Sequence, residues 1–218
     1  LTKDGTGTLT LTAANNYTGL TTVSAGTALV QNATALGTID AGTTVMSGGT
    51  LGLQGGISVV AESLTIGGTG VAGTGALRNI NSSNSYTGDI TLSANTLVTT
   101  DAGSLTLSGV IGGAFALTKD GSGTLTLGGA NSYSGGTNVS AGTLVGTTAS
   151  LQGDIANDAT LSFSQAGAGT YGGQISGTGD LGKAGTGIVT LTGPNSYAGA
   201  TTISAGAFNL QNATALGT

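Results

Sequence analysis

Residues 1–27 read LTKDGTGTLTLTAANNYTGLTTVSAGT, and two later stretches of the chain repeat this pattern closely. They read LTKDGSGTLTLGGANSYSGGTNVSAGT at 117–143 and LGKAGTGIVTLTGPNSYAGATTISAGA at 181–207. The first and third copies also continue to the same ending, QNATALGT, at 31–38 and 211–218. Internal repetition is typical of folds that stack one structural unit on the next. The pattern therefore predicts a rod, a spacer or an extended surface.

Each copy contains short runs in which apolar and polar residues alternate. The runs Thr8 to Leu11, Thr124 to Leu127 and Thr190 to Thr192 have this period of two, which is the period of a strand with one face toward a core. Glycine supplies 43 of the 218 residues, and in a helix interior each glycine costs about 1 kcal/mol relative to alanine. We predict an all-β chain of short strands joined by glycine-containing turns.

The motif Asn-x-Tyr-x-Gly marks each copy and recurs once more in a weaker form. Nine residues after the tyrosine stands a glycine in the three good copies and Asn95 in the weak one. Asparagine often replaces glycine where the backbone needs a positive φ, so we expect that conformation at Asn95. The motif residues are Asn15, Tyr17 and Gly19, Asn84, Tyr86 and Gly88, Asn131, Tyr133 and Gly135, and Asn195, Tyr197 and Gly199.

The spacing of the motif gives the length of the stacked unit. Consecutive motif tyrosines are 69, 47 and 64 positions apart, close to three, two and three times a unit of roughly 22 residues. Leu9, Leu29 and Leu51 repeat the same step locally. A unit of this length suits one coil of a parallel β-helix, or β-solenoid, so the chain should hold about ten coils. The tyrosines should then lie two or three whole coils apart.

Composition excludes several classes of function. The net charge is −5 with four cationic side chains, Lys3, Arg78, Lys119 and Lys183, so the chain lacks the basic footprint that nucleic-acid binding requires. The absence of cysteine and histidine excludes thiolate or imidazole metal sites and histidine-based triads. Glycine, asparagine, threonine and serine interrupt the uncharged stretches, so none is a membrane-spanning helix. We expect no cofactor and no direct membrane insertion.

The combined string Gly5-x-Gly7-x-Leu9-x-Leu11, Asn15-x-Tyr17-x-Gly19-x-Thr21-x-Val23-x-x-Gly26, Asn32-x-x-Ala35-Leu36-Gly37 resembles the autotransporter-associated β-strand repeat, also called the passenger-associated transport repeat. The resemblance covers roughly half of the chain, with copies at 1–38, 117–145 and 181–218 and a degenerate copy at 73–98, in which Arg78 occupies the position of Leu9. We interpret residues 1–218 as a single segment of a longer passenger, because the sequence starts and stops in the middle of the pattern.

The resemblance implies a right-handed parallel β-helix in the secreted passenger of a Gram-negative type V autotransporter. It implies a role in passenger folding and in export through the outer membrane. It also implies a cell-surface location, with a membrane-anchoring barrel that is not part of this chain. Flanking coils of the longer passenger would be its principal partners.

The charged residues that could form a catalytic or metal site can also be explained as parts of turns or of the protein surface. Asp154 and Asp158 are close enough in sequence to suggest a paired-acid glycosidase site, but both also suit solvated turns beside Ile155. Gly177-Thr178-Gly179-Asp180 is an incomplete version of a calcium-binding β-roll motif, which we interpret as a turn. Lys3, Lys119 and Lys183 share one phase of the repeat, and we expect them to keep a surface strand or turn soluble.

Three functions compete on the sequence alone. The favoured one is a structural passenger segment in which folding spreads from coil to coil. The alternative is an adhesin or self-association module that binds host glycans or neighbouring cells, with the motif tyrosines as stacking platforms for sugars and with lateral or end-to-end contacts between copies. An enzyme acting on polysaccharide is the third, but the acids are scattered, so we expect no catalytic site.

Overall fold

The computed structural model describes residues 1–217, and in this range the chain forms 25 short β-strands and one turn of 3-10 helix, at Val71–Gly73. Every pairing between strands is parallel, and partners are about one coil apart in sequence. The strands stack as a β-solenoid of about ten turns, which confirms the predicted fold class. Within this range no helix is long and apolar enough to cross a membrane.

Strand pairing divides the solenoid into three faces. On the first face, Ile90–Leu92 belong to the long strand β11 (Ile90–Thr100). The backbone at 131–134 continues this face in the coil after β13 (Ile111–Gly112). The strands of this face are β1 (Thr2–Lys3), β3 (Thr21–Val23), β5 (Thr43–Val45), β8 (Leu64–Gly68), the beginning of β11 (Ile90–Thr100), β13 (Ile111–Gly112), and then β20 (Gly169–Tyr171), β23 (Ile188–Leu191) and β25 (Ala207–Leu210).

The second face shares β11 with the first, because that strand runs across the corner between them. Its residues Thr96–Thr100 pair on one side with β9 (Leu77–Asn79) and on the other with β14 (Leu117–Asp120). The strands of this face are β2 (Thr8–Leu11), β4 (Gly26–Val30), β6 (Gly49–Leu53), β9 (Leu77–Asn79), the end of β11, β14 (Leu117–Asp120), β16 (Thr137–Val139), β18 (Ile155–Asn157) and β21 (Ile175–Ser176).

The third face is one sheet of eight strands, and a column of leucines shows how the sequence builds its core. Leu105, Leu125, Leu144, Leu161 and Leu181 are paired in register across five coils, and all are buried. Burial of a leucine side chain contributes about 1.5–3 kcal/mol. The strands are β7 (Ser58–Val59), β10 (Ser83–Tyr86), β12 (Ser104–Leu107), β15 (Thr124–Leu127), β17 (Thr143–Gly146), β19 (Thr160–Ser164), β22 (Asp180–Ala184) and β24 (Thr201–Ile203).

The length of one coil varies along the solenoid. The coil that separates Thr143 from its partner Thr160 is short, whereas the coil that separates Ser58 from its partner Ser85 is much longer. At the start of each of the three good copies the coil length is the same. This is seen from the repeat lysine, which in every copy pairs with an aliphatic residue of the next coil at the same separation in sequence. These pairs are Lys3 with Val23, Lys119 with Val139, and Lys183 with Ile203.

The three copies begin on three different faces. The strand that carries the repeat lysine is β1 on the first face, β14 on the second and β22 on the third. Going from one good copy to the next, the chain therefore winds around the solenoid axis by a whole number of turns plus about one third of a turn. The prediction that the tyrosines lie whole coils apart is wrong for Tyr133 and Tyr197, which lie on the first and second faces. The coils in this part are shorter than the predicted unit, so the chain between these two tyrosines passes beyond a whole number of turns.

Candidate functional site

The repeat lysines are buried, and their ammonium groups are enclosed by backbone carbonyls. Lys119 is fully buried, and its Nζ donates to Asp120 O at 2.9 Å, Gly121 O at 2.7 Å and Ala141 O at 2.9 Å. The first two carbonyls belong to the turn that follows the lysine, and the third belongs to the next coil. An ammonium group has three N–H donors, so the carbonyls satisfy it completely and tie two coils together.

The same carbonyl cage occurs in the other two copies. Its acceptors are Asp4 O, Gly5 O and Ala25 O around Lys3, and Ala184 O, Gly185 O and Ala205 O around Lys183. The expectation that these lysines lie on the surface is wrong. The turn directs its carbonyls inward, and a buried carbonyl needs a donor. Burial lowers the pKa of Lys119 to about 8, against an opposing effect of the Asp120 charge, and lowers that of Lys183.

A glycine of the next coil closes each cage. Gly142 has a φ of 67°, in the left-handed region that favours glycine, and a Cβ there would lie 2.9 Å from Lys119 Nζ. Gly26 and Gly206 have the same conformation in the other copies. The prediction of a positive φ at Asn95 is wrong, since this residue continues the extended strand β11. Asn95 Oδ1 instead accepts a hydrogen bond from Ala116 N at 3.1 Å.

The motif asparagine connects three successive coils. Asn131 Oδ1 accepts from Ile111 N of the preceding coil at 2.8 Å, and its Nδ2 donates to Ser150 O of the following coil at 2.7 Å. Buried backbone groups at both corners are thereby satisfied by one side chain. The corresponding bonds are Ile175 N to Asn195 Oδ1 at 2.8 Å, Asn195 Nδ2 to Ala215 O at 2.6 Å, and Asn15 Nδ2 to Ala35 O at 2.8 Å.

The motif tyrosine packs inside a corner and bonds to a threonine four residues later. Tyr133 Oη lies 2.8 Å from Thr137 Oγ1, and only 1% of Tyr133 is exposed. Tyr197 is fully buried. Stacking on a sugar requires an accessible ring face, so neither ring can serve as the glycan platform considered from the sequence. The equivalent bonds are Tyr17 to Thr21 at 2.8 Å and Tyr197 to Thr201 at 2.6 Å.

The motif glycine allows close approach of neighbouring coils. A Cβ at Gly135 would overlap backbone atoms of Phe115 and Ala116, and one at Gly199 would overlap Gly179. Gly19, which has no preceding coil in this chain, has open space around the same position. Gly19, Gly88, Gly135 and Gly199 have no positive φ, so the backbone conformation does not explain this glycine.

The degenerate copy keeps the asparagine bond to the preceding coil and the close approach at Gly88, where a Cβ would overlap the backbone of Glu62, but it loses the tyrosine bond. Asn84 Oδ1 accepts from Ile57 N at 2.7 Å, as in the good copies. Tyr86 lies within strand β10 and is fully buried, and its hydroxyl has no hydrogen-bond partner among the described residues. Arg78 lies in β9 and forms an ion pair with Asp101, with Nη2 at 2.6 Å from Oδ2.

The candidate catalytic and calcium-binding carboxylates also bind the next coil. Asp154 Oδ1 accepts from Gln174 N at 2.8 Å, and Asp158 Oδ1 accepts from Thr178 N at 3.1 Å. Asp180 Oδ1 accepts from Ala200 N at 2.8 Å. Across residues 1–217, no group of three or more aspartate, glutamate, histidine or cysteine side chains is placed to hold a metal ion. These contacts give the aspartates a structural interpretation.

Comparison with known proteins identifies the repeat. The family model described as passenger-associated-transport-repeat matches residues 1–27, 117–145 and 181–210. Three segments of the chain therefore match this repeat, which confirms the resemblance stated from the sequence. The degenerate copy at 73–98 lies outside the matched segments. No curated protein and no solved structure matches the chain.

Proposed function

We propose that this chain, as a carrier of three passenger-associated-transport-repeats, is a structural segment of an autotransporter passenger that supports folding and export across the outer membrane. The repeat and the solenoid support a structural passenger segment. The single observation that carries the proposal is the carbonyl cage, which recurs around Lys3, Lys119 and Lys183 and connects each lysine coil to the next one.

The cages and the asparagine contacts make each coil depend on its neighbours. A lysine that lacks the following coil loses one of its three acceptors, and an asparagine that lacks either neighbour loses one bond. Buried polar groups without partners cost about 1–3 kcal/mol each. A coil that joins the end of a folded stack therefore supplies the missing hydrogen-bond partners of polar groups already present there. Folding can spread along the solenoid in this way, and backsliding of an exported chain would require these bonds to break.

The same observations favour a structural role over the other candidates. The rings of Tyr133 and Tyr197 are buried, and Asp154 and Asp158 are engaged by backbone N–H groups. On this proposal the segment works outside a Gram-negative cell or at its surface. Its main partners are flanking coils of its own passenger, and its interaction with host surfaces or other copies is secondary.

The proposal is tested in the parent protein on whole cells. One variant lacks residues 1–217, and a second carries Lys3→Met, Lys119→Met and Lys183→Met together. We expect both to reduce surface labelling and protease resistance of the passenger, because the exported coils no longer form these hydrogen bonds to one another. A variant with Ser140→Ala, which changes an exposed residue in the same turn as a cage, should behave as wild type. Normal display with lost adhesion would support the adhesin alternative instead.

A further inference from the structure

Glu62, the only glutamate of the chain, lies at a small cavity on the third face. The cavity has a volume of about 90 Å³ and lies between the loop at 33–39 and the next coil at 58–62. Its walls include Leu36 and Val59, which are buried, and Ile39 and Val60, which are 58% and 61% exposed. Glu62 itself is 3% exposed. The cavity therefore combines an apolar lining, an apolar rim and one acidic side chain.

The Glu62 carboxylate has no cationic partner among residues 1–217. Its Oε1 accepts a hydrogen bond from Thr43 Oγ1 at 2.8 Å, and the neutral hydroxyl leaves the charge uncompensated. Every positive group of the described chain is engaged elsewhere. Lys3, Lys119 and Lys183 are in their carbonyl cages, Arg78 pairs with Asp101, and the Leu1 amino group donates to Leu20 O.

The surroundings of Glu62 favour a cationic ligand. Burial is the main cause that raises the pKa of Glu62, against the hydrogen bond from Thr43, and the Glu62 charge contributes to the raised pKa values of Tyr17 and Tyr86. Burial of a carboxylate is costly unless a cation or several donors compensate it. A cation that entered the cavity would remove this cost and form a charge-assisted hydrogen bond.

We propose that this cavity binds a primary ammonium group on a short aliphatic stem. The ammonium would pair with Glu62, and the stem would pack between Leu36 and Val59 and extend past Ile39. The volume admits the ammonium and a few methylene groups. Free alkylamines and the side chain of an exposed lysine on another protein share this chemistry. The proposal is independent of the role in export.

The binding test uses n-butylammonium followed by NMR chemical shifts of the folded chain. We expect saturable shifts at residues of the loop 33–39, and affinity reduced about tenfold or more in Glu62→Gln. Asp40→Asn, which removes a nearby exposed carboxylate, should bind as wild type, and n-butanol should bind more weakly. Equal binding by Glu62→Gln, equal binding of n-butanol or no binding at all would overturn the proposal. An acetylated lysine methylamide in the same assay distinguishes a protein lysine from a free amine as the ligand.

A second variant supplies the cation from a side chain of the protein itself. Ile39→Lys introduces an ammonium on an aliphatic stem at the exposed rim, so it should raise the unfolding temperature and block n-butylammonium. Both effects should disappear in the double variant Ile39→Lys with Glu62→Gln. An unfolding temperature that is unchanged, or a gain that persists without Glu62, would contradict the proposed pairing even if Glu62→Gln folded poorly.

Discussion

The Tyr133 hydroxyl lies 2.8 Å from Thr137 Oγ1 inside a corner of the solenoid, and the degenerate copy has lost this bond. There Ile90 stands four residues after Tyr86, so the Tyr86 hydroxyl is buried without a partner among the described residues. The two tyrosines thus form a natural comparison between a satisfied and an unsatisfied buried hydroxyl.

The two hydroxyls should contribute to stability with opposite sign. Tyr133→Phe removes a hydrogen bond and leaves Thr137 with fewer partners, so we expect a loss of about 1 kcal/mol in the free energy of unfolding. Tyr86→Phe removes an unpaired polar atom and should be neutral or stabilising. Urea unfolding of the two variants and the wild type measures both effects. A larger loss for Tyr86→Phe than for Tyr133→Phe would contradict the unpaired state of the Tyr86 hydroxyl.

The motif glycine should tolerate alanine only where no coil lies beneath it. Gly135→Ala forces a Cβ onto the backbone of Phe115 and Ala116, and overpacking of this kind costs about 1–3 kcal/mol. Gly19→Ala places the same methyl group in open space, and should change stability by less than about 1 kcal/mol. Thermal unfolding of both variants tests the difference. Equal effects would mean that coil spacing does not explain this glycine.

Alkaline pH should destabilise the fold through its buried tyrosines. Burial is the largest cause that raises the pKa of Tyr17, Tyr86, Tyr133, Tyr171 and Tyr197. In the unfolded chain tyrosine ionises near pH 10, so above about pH 10 the unfolded state releases protons that the folded state retains. Linkage then lowers the free energy of unfolding as pH rises.

Phenolate absorbance and circular dichroism followed together from neutral to alkaline pH check this prediction. The tyrosines should ionise in the same step in which the β-structure is lost. Ionisation of all five tyrosines near pH 10 with the fold intact would contradict the burial described here. Lys119, whose pKa is lowered to about 8, acts in the opposite direction between about pH 8 and 10.4, because there the unfolded state retains the proton.

The sequence predicted the fold well because the repeat constrains it strongly. Alternation in Thr124 to Leu127 places Leu125 and Leu127 inside, and the constant step within each good copy brings equivalent positions together in neighbouring coils. The motif residues Asn15, Tyr17 and Gly19 lie in the first of the three segments that match the repeat model.

The sequence predicted the contacts of the site less well, for two physical reasons. A lysine beside Asp-Gly suggests an exposed turn, and nothing local shows that the turn carbonyls converge on Lys119. The phase of the copies around the axis depends on the lengths of all intervening coils, and these lengths differ widely from one coil to another. The lysine itself was a usable signal, since it recurs at the same phase in all three good copies.

The carbonyl cage is tested most directly by urea unfolding of Lys119→Met beside Ser140→Ala. Methionine keeps the apolar stem but leaves three buried carbonyls without their donor, so we predict a loss of about 2–3 kcal/mol for Lys119→Met. The exposed Ser140→Ala should stay within about 0.5 kcal/mol of wild type. A Lys119→Met variant as stable as wild type would contradict the claim that the lysine holds adjacent coils together.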